Sequence, residues 1–180
     1  MTPRLSKKIP PLFFGLGVLA LDQASKALVL KAAAGRQGVL ASYFGDFFYL
    51  SLQRNKGAAF SLLEGLPPAP RFLVLGLLPL ACLLGILLYY FRSRSLTPFQ
   101  DWAVLAIVSG GLGNIVDRLL RPLGVVDFLS FKVYGFLGYQ RWPTFNVADS
   151  AVIAGGFLII ASYVAQIAVE ARRGGKGAAA

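Results

Sequence analysis

The sequence predicts an all-α membrane protein of four transmembrane helices with a small extracytoplasmic element, part β-strand and part interfacial helix. Three observations carry this. The chain is 56% apolar and only 14% charged, with a mean hydropathy of +0.64, a profile of membrane-embedded rather than soluble chains. Four apolar stretches are each long enough for the roughly 20 helical residues that cross about 30 Å of hydrocarbon. The connections between them carry strand alternation and aromatic clusters in place of simple turn residues. Residues 1–180 read as one integral-membrane domain, without internal repeats.

The spans fall at 11–30, 72–91, 102–120 and 147–169. Pro10-Pro11, then Pro68 and Pro70, then Pro98 mark their starts, because proline is tolerated at a helix N-terminus and disrupts a helix interior. Arg4, Lys7 and Lys8 before the first apolar run resemble the start of a cleavable leader. Asp22 and Lys26 interrupt that run as an i,i+4 pair able to neutralise itself on one helix face, which favours a retained span. Between the first two spans, Phe48, Leu50 and Leu52 alternate with Tyr49, Ser51 and Gln53, predicting a strand over 47–53 with one apolar face. The apolar run 58–63 before Glu64-Gly65 predicts a helix lying at the interface. In the loop 121–145, Phe128, Phe131, Tyr134, Phe136, Tyr139 and Trp142 form an aromatic belt, either an anchor or a wall for a lipid-bearing ligand. The Gly/Ala-rich tail beyond Arg173 is expected to lack structure.

Charge sets orientation. The N-terminal tail, the 92–97 connection and the tail from Ala171 hold eight Lys/Arg in 26 residues, whereas the loops 32–69 and 121–145 hold six in 63. The denser group is expected in the cytoplasm, so both termini lie inside and both long loops outside. The net charge of +10 then reflects orienting loops that touch anionic headgroups, and no nucleic-acid partner is expected. There is no histidine, which excludes His-ligated zinc and Ser-His or Cys-His catalysis. Cys82 is the single cysteine, inside an apolar run, and reads as a core residue.

That orientation gathers the polar residues of the spans on the outer side. Asp22 and Lys26 lie in the outer half of the first span. Asn114, Asp117 and Arg118 share one face of the third, at i, i+3 and i+4. Asn146 and Asp149 open the fourth, and Asp127 lies in the loop just outside. Each has a plain alternative: an ion pair at 22 and 26, an N-cap at Asn146 with Asp149 facing the helix dipole, a headgroup anchor at 117–118. Separately these suffice, but together they leave the gathering of acids at one interface unexplained. Acids at the membrane edge are functional candidates. Gly110, Gly111 and Gly113 fit either close helix packing or the approach of a ligand backbone.

Four segments, in order, resemble bacterial lipoprotein signal peptidase, signal peptidase II: Leu-Asp-Gln-Ala-Ser-Lys at 21–26, Asn-Lys-Gly-Ala-Ala-Phe at 55–60, Gly-Gly-Leu-Gly-Asn-Ile-Val-Asp-Arg at 110–118 continuing to Gly-Val-Val-Asp-Phe at 124–128, and Phe-Asn-Val-Ala-Asp-Ser at 145–150. The resemblance implies an aspartic endopeptidase of the bacterial inner membrane, with its site at the outer face. Its implied substrate is a prolipoprotein, cut just before a diacylglyceryl-modified cysteine, and globomycin-type inhibitors are implied ligands. It maps the catalytic pair onto Asp127 and Asp149. Asn55, Gly57, Asn114, Asp117, Arg118, Asn146 and Ala148 become supporting or substrate-binding positions, and Asp22 with Lys26 a structural polar pair. No cofactor or metal is expected, and a monomer is. One departure is a stretch between Asp117 and Asp127 one residue longer than the family pattern, with Gly124 directly before the valines. The loop 129–144 also reads as long.

The chemistry agrees with that reading. Two close carboxylates at a low-dielectric edge share one proton, so one can take a proton from water while the other donates one. Asp117 is the rival third acid, expected to be held ionised by adjacent Arg118. Two other classes fit parts of the pattern. A small transporter or proton-pathway subunit would need ionisable groups continuing through the inner halves of the spans, which hold almost none. A Ser-Lys peptidase using Ser25 and Lys26 would need neighbouring helix residues to face one another.

Overall fold

The computed structural model describes residues 3–57, 63 and 65–177. In chain order these form α1 (Pro3–Ala33), β1 (Gly38–Tyr43), β2 (Phe48–Asn55), α2 (Pro68–Phe72), a π-helical turn (Leu73–Leu77), α3 (Leu78–Arg92), α4 (Pro98–Leu120), β3 (Val125–Phe131), a short 3₁₀ turn (Phe136–Gly138) and α5 (Val147–Gly177). Among the described residues, four helical segments are long and apolar enough to cross a membrane: Ser6–Ala33, Pro68–Arg92, Pro98–Leu120 and Val147–Ala171. The expected interfacial helix at 58–63 lies almost wholly outside the described residues.

The spans are where the sequence places them, but most ends move. Pro10 and Pro11 lie inside α1 rather than before it. Contacts from another helix offset the hydrogen bonds these prolines remove: the buried Lys8 ammonium donates to the Tyr90 carbonyl, and the Tyr90 hydroxyl donates to Lys8 O at 2.9 Å. Pro68 and Pro98 begin their helices, at the position where a missing N–H costs nothing. Thr97 caps α4 in a capping box with Gln100, with bonds of 3.2 and 3.0 Å. α5 continues four residues past Arg173, since each residue added to a formed helix gains one backbone bond.

α4 is the central helix and packs against α1, α3 and α5. Its small residues permit this. At Gly113 an added Cβ would lie 2.6 Å from an Asp22 carboxylate oxygen and 3.1 Å from Ala148 Cβ. Gly110 faces Val152 of α5 and Gly111 faces Leu83 of α3, so all three glycines serve helix packing rather than a ligand. The outward faces of α1 and α5 are large and apolar, with Phe157 69% exposed, as a lipid-facing surface requires.

At one end of the bundle the strands form an antiparallel sheet in the order β1-β2-β3. Leu52, on the predicted apolar face of β2, packs with Val126 and Phe128 of β3 onto Val29 and Ala33 of α1. Phe128 is therefore core and not part of an aromatic belt. Phe131 also turns inward, 5.0 Å from the Phe48 ring and 5.9 Å from Phe145. Tyr134, Phe136 and Tyr139 are exposed as expected, and Trp142 is half-buried. Arg141 folds the long loop back: it stacks 3.5 Å from the Tyr49 ring centre and donates to Ser130 Oγ at 3.1 Å and Asp46 O at 2.7 Å.

Candidate active site

Backbone pairing brings the two halves of the site together. In the β2–β3 register, Gln53 stands opposite Asp127 and Asn55 opposite Val125. Phe145 then bridges back to β3, its carbonyl accepting from Leu129 N at 2.8 Å and its N–H donating to Leu129 O at 3.0 Å. Asn146, the next residue, is thereby held against Val126 and Asp127 at the start of α5. The departure noted at Gly124 also has its reason here. Gly124 has φ +97°, and an added Cβ would lie 2.5 Å from Asn55 O, so only glycine lets β3 begin beside Asn55.

Asp127 is 3% exposed. It accepts from Asn55 Nδ2 at 3.1 Å on one oxygen and from Asn146 Nδ2 at 2.7 Å on the other. Asp149 accepts from Asn114 Nδ2 at 2.7 Å and from the Asn146 backbone N–H at 3.1 Å. Asn146 Oδ1 in turn accepts from Asp149 N at 2.9 Å, a reciprocal N-terminal cap of α5. Both carboxylates line one cleft of about 330 Å³, with Asn55, Asn114 and Arg118 as further polar lining and Val125, Phe145 and Ile153 among its apolar walls. Burial, and after it the Asp149 charge, push the Asp127 carboxyl up to about 7, against the lowering effect of the Asn55 and Asn146 donors.

Behind the pair lies a saturated ion cluster. Lys26 Nζ reaches Asp22 at 2.8 Å, Asp117 at 3.1 Å and Asn114 Oδ1 at 3.1 Å, which commits its three protons. Because an ammonium only donates, it fixes the orientation of Asn114 and so turns that amide N–H₂ toward Asp149. Asp22 also accepts from Ala148 N at 2.9 Å, tying α1 to the first turn of α5. Asp117 accepts from Val126 N at 3.0 Å and from Arg121. It is fully buried and does not line the cleft.

Every candidate residue falls in or against this assembly, with one difference from expectation. Arg118 does not pair with Asp117; it donates to Gly57 O at 3.1 Å, and Lys26 and Arg121 balance Asp117 instead. Gly57 N–H donates to Asn55 Oδ1 at 2.9 Å, which orients the Asn55 amide N–H₂ toward Asp127. Ser25 Oγ donates to Asp22 O at 2.9 Å, and Lys26 has no proton left for it, so no Ser-Lys pair exists. Sequence reasoning missed Gln23 and Arg121. Gln23 donates to Gly113 O at 3.0 Å and Asp117 at 3.2 Å, and accepts from Arg121 at 3.2 Å. An amide inside a span and a cation four residues after an acid were the available signals. Lys8 and Asp101, 3.8 Å apart, place a second charged pair at the far end of the bundle. Both lie just outside the apolar runs 11–30 and 102–120, in the stretches by which α1 and α4 extend beyond them.

The chain as a whole resembles known proteins in sequence and in fold. The family model described as Signal peptidase (SPase) II matches residues 14–165. The lipoprotein signal peptidase of Treponema pallidum (strain Nichols) is 43% identical over 157 residues, covering 87% of this chain and 83% of its own length. That of Borrelia turicatae (strain 91E135) is 44% identical over 139 residues, covering 77% and 80%. A solved bacterial membrane enzyme, determined by the in meso method at 2.3 Å resolution, superposes with a TM-score of 0.71 at 25% identity, over 88% of this chain and 89% of that one.

Proposed function

The chain belongs to the signal peptidase II family, and from that premise we propose that Asp127 and Asp149 are the catalytic pair of its endopeptidase activity. It is an aspartic endopeptidase and a multi-pass protein of the bacterial inner membrane. Its proposed substrate is a prolipoprotein, cut immediately before a diacylglyceryl-modified cysteine. One observation carries the assignment of the pair: both carboxylates open onto one cleft and are both bound by Asn146, while the other two acids of the cluster are neutralised behind it.

The pair holds one proton between them, and the burial that raises Asp127 to about 7 supports that state at neutral pH. One carboxylate takes a proton from water as its oxygen attacks the scissile carbonyl carbon, and the other gives its proton to the carbonyl oxygen. The tetrahedral intermediate collapses when the pair gives its proton to the nitrogen, the C–N bond breaks, and a hydroxyl of the gem-diol returns one proton to the pair as the new carboxyl group forms. Asn55, Asn114 and Asn146 fix both carboxylates, and Lys26 acts through Asn114. Apolar walls at Val125, Phe145 and Ile153 suit a signal peptide and its lipid. Charge density supports cytoplasmic termini and a site at the outer face. A monomer and globomycin-type inhibitors complete the reading.

The test is cleavage of a diacylglyceryl prolipoprotein by the purified protein, with and without globomycin. Asn at 127 or 149 should lower turnover by at least about 10²-fold, the scale of lost acid–base catalysis. Near-normal cleavage by either variant would overturn the pair.

A further inference from the structure

We propose that the end of the bundle opposite the acid pair holds a site for the phosphodiester of an anionic phospholipid. A cleft of about 490 Å³ opens there between the start of α1, the connection from α3 to α4 and the first turn of α4. Lys7, Lys8 and Arg94 line it, with Asp101 as its single carboxylate. The three cations are not equivalent. Lys8 is buried, donates to the Tyr90 carbonyl, sits 4.1 Å above the Tyr90 ring and lies 3.8 Å from Asp101. Its charge is balanced within the protein. Lys7 and Arg94 are exposed, and among the described residues neither has a hydrogen bond or ion pair. Two uncommitted cations flanking one cleft present the donors and the surplus charge that a phosphodiester recruits.

The surroundings select a lipid over a free anion. The cleft lies at the ends of three spanning helices, the depth of headgroups. Trp102 lines it, 40% exposed, with its ring 5.3 Å from that of Phe14, also 40% exposed. Together these rings form an apolar wall leading from the cleft onto the lipid-facing surface of α1, along which an acyl chain can lie. Tryptophan at such a boundary keeps its ring in the interface. A bound headgroup would pin this end of the bundle at fixed depth, independently of the chemistry at the other end.

The chain contains two tryptophans, so a Trp142→Phe background leaves Trp102 as the sole tryptophan, excited selectively over tyrosine at the red edge of absorption. The full-length variant is reconstituted in phosphatidylcholine bilayers doped with brominated phosphatidylglycerol or brominated phosphatidylcholine. Quenching of Trp102 should show phosphatidylglycerol favoured by about five- to twentyfold, the scale of two cations near a headgroup. Adding Lys7→Gln and Arg94→Gln should return the two lipids to parity, while Lys132→Gln at the other end leaves the preference intact. Both replaced side chains are exposed, so unchanged melting temperatures are expected and separate loss of binding from loss of fold. Equal quenching by the two lipids in the parent would overturn the site. Equal loss of preference with Lys132→Gln would assign the effect to overall charge, and displacement by millimolar inorganic phosphate would assign the cleft to a soluble anion.

Discussion

At the scale of single residues, protonation decides what this site does. Asp127, with its carboxyl raised to about 7, keeps in the folded protein a proton that the unfolded chain loses near pH 4. The folded state therefore binds more protons between about pH 4 and 7, and this group's contribution to stability declines as pH rises through that window and is level above it. Thermal melts in detergent should show the parent losing stability relative to Asp127→Asn between pH 5 and pH 7.5; a difference constant with pH would contradict it. Arg121 bears on the same proton. Four acids (Asp22, Asp117, Asp127, Asp149) meet three cations (Lys26, Arg118, Arg121) in the assembly, and the one uncompensated acid matches the single proton proposed for the pair. Arg121→Gln removes a cation and should move the basic limb of kcat/KM to higher pH, and Arg121→Lys should restore it. The acids were legible because an acid beside a membrane span needs an explanation. Arg121 was less so: its i,i+4 spacing from Asp117 was the available signal, but adjacent Arg118 offered itself as the nearer partner.

At the scale of elements, periodicity revealed which helices exist but not where they stop. The apolar run of α1 begins after Pro11, yet the helix starts at Pro3 because Lys8 and Tyr90 hold its first turns against α3. β2 was readable from alternation. β3 was not, because Val125–Phe128 is buried throughout and so shows no alternation. Its start depends on Gly124. Alanine there would meet a positive φ, costing about 1–3 kcal/mol, and would press on Asn55 O. Gly124→Ala should lower the melting temperature and, by separating β2 from β3, weaken the Asn55–Asp127 bond and reduce kcat. A variant with parental melting and kcat would show that β3 begins without the left-handed residue.

At the scale of the whole molecule, the site is built from α1, β2, α4, β3 and α5. Local patterns could nominate its residues, but only the packing shows which oxygen each amide faces. The proposed orientation in the bilayer rests on charge density, and it is testable. On a Cys82→Ser background, cysteines at Ser42 and Lys132 should react with an impermeant thiol reagent applied outside intact cells, and one at Gly174 should not. The reverse pattern would place the acid pair on the cytoplasmic side.

The pairing of Lys26 with both Asp22 and Asp117 has a consequence for biogenesis. During synthesis the first span exists before α4 has been made, and a lone ammonium would then face hydrocarbon without Asp117. The Asp22 carboxylate, four residues away on the same helix and 2.8 Å distant, is present from the outset. Asp117 likewise emerges with Arg121 four residues behind it. Each segment thus enters the bilayer carrying its own counter-ion, and the mature cluster forms when α1 and α4 meet and Lys26 takes a second acid. The order in which the chain leaves the ribosome is accommodated within the same ion pairs that later support the site.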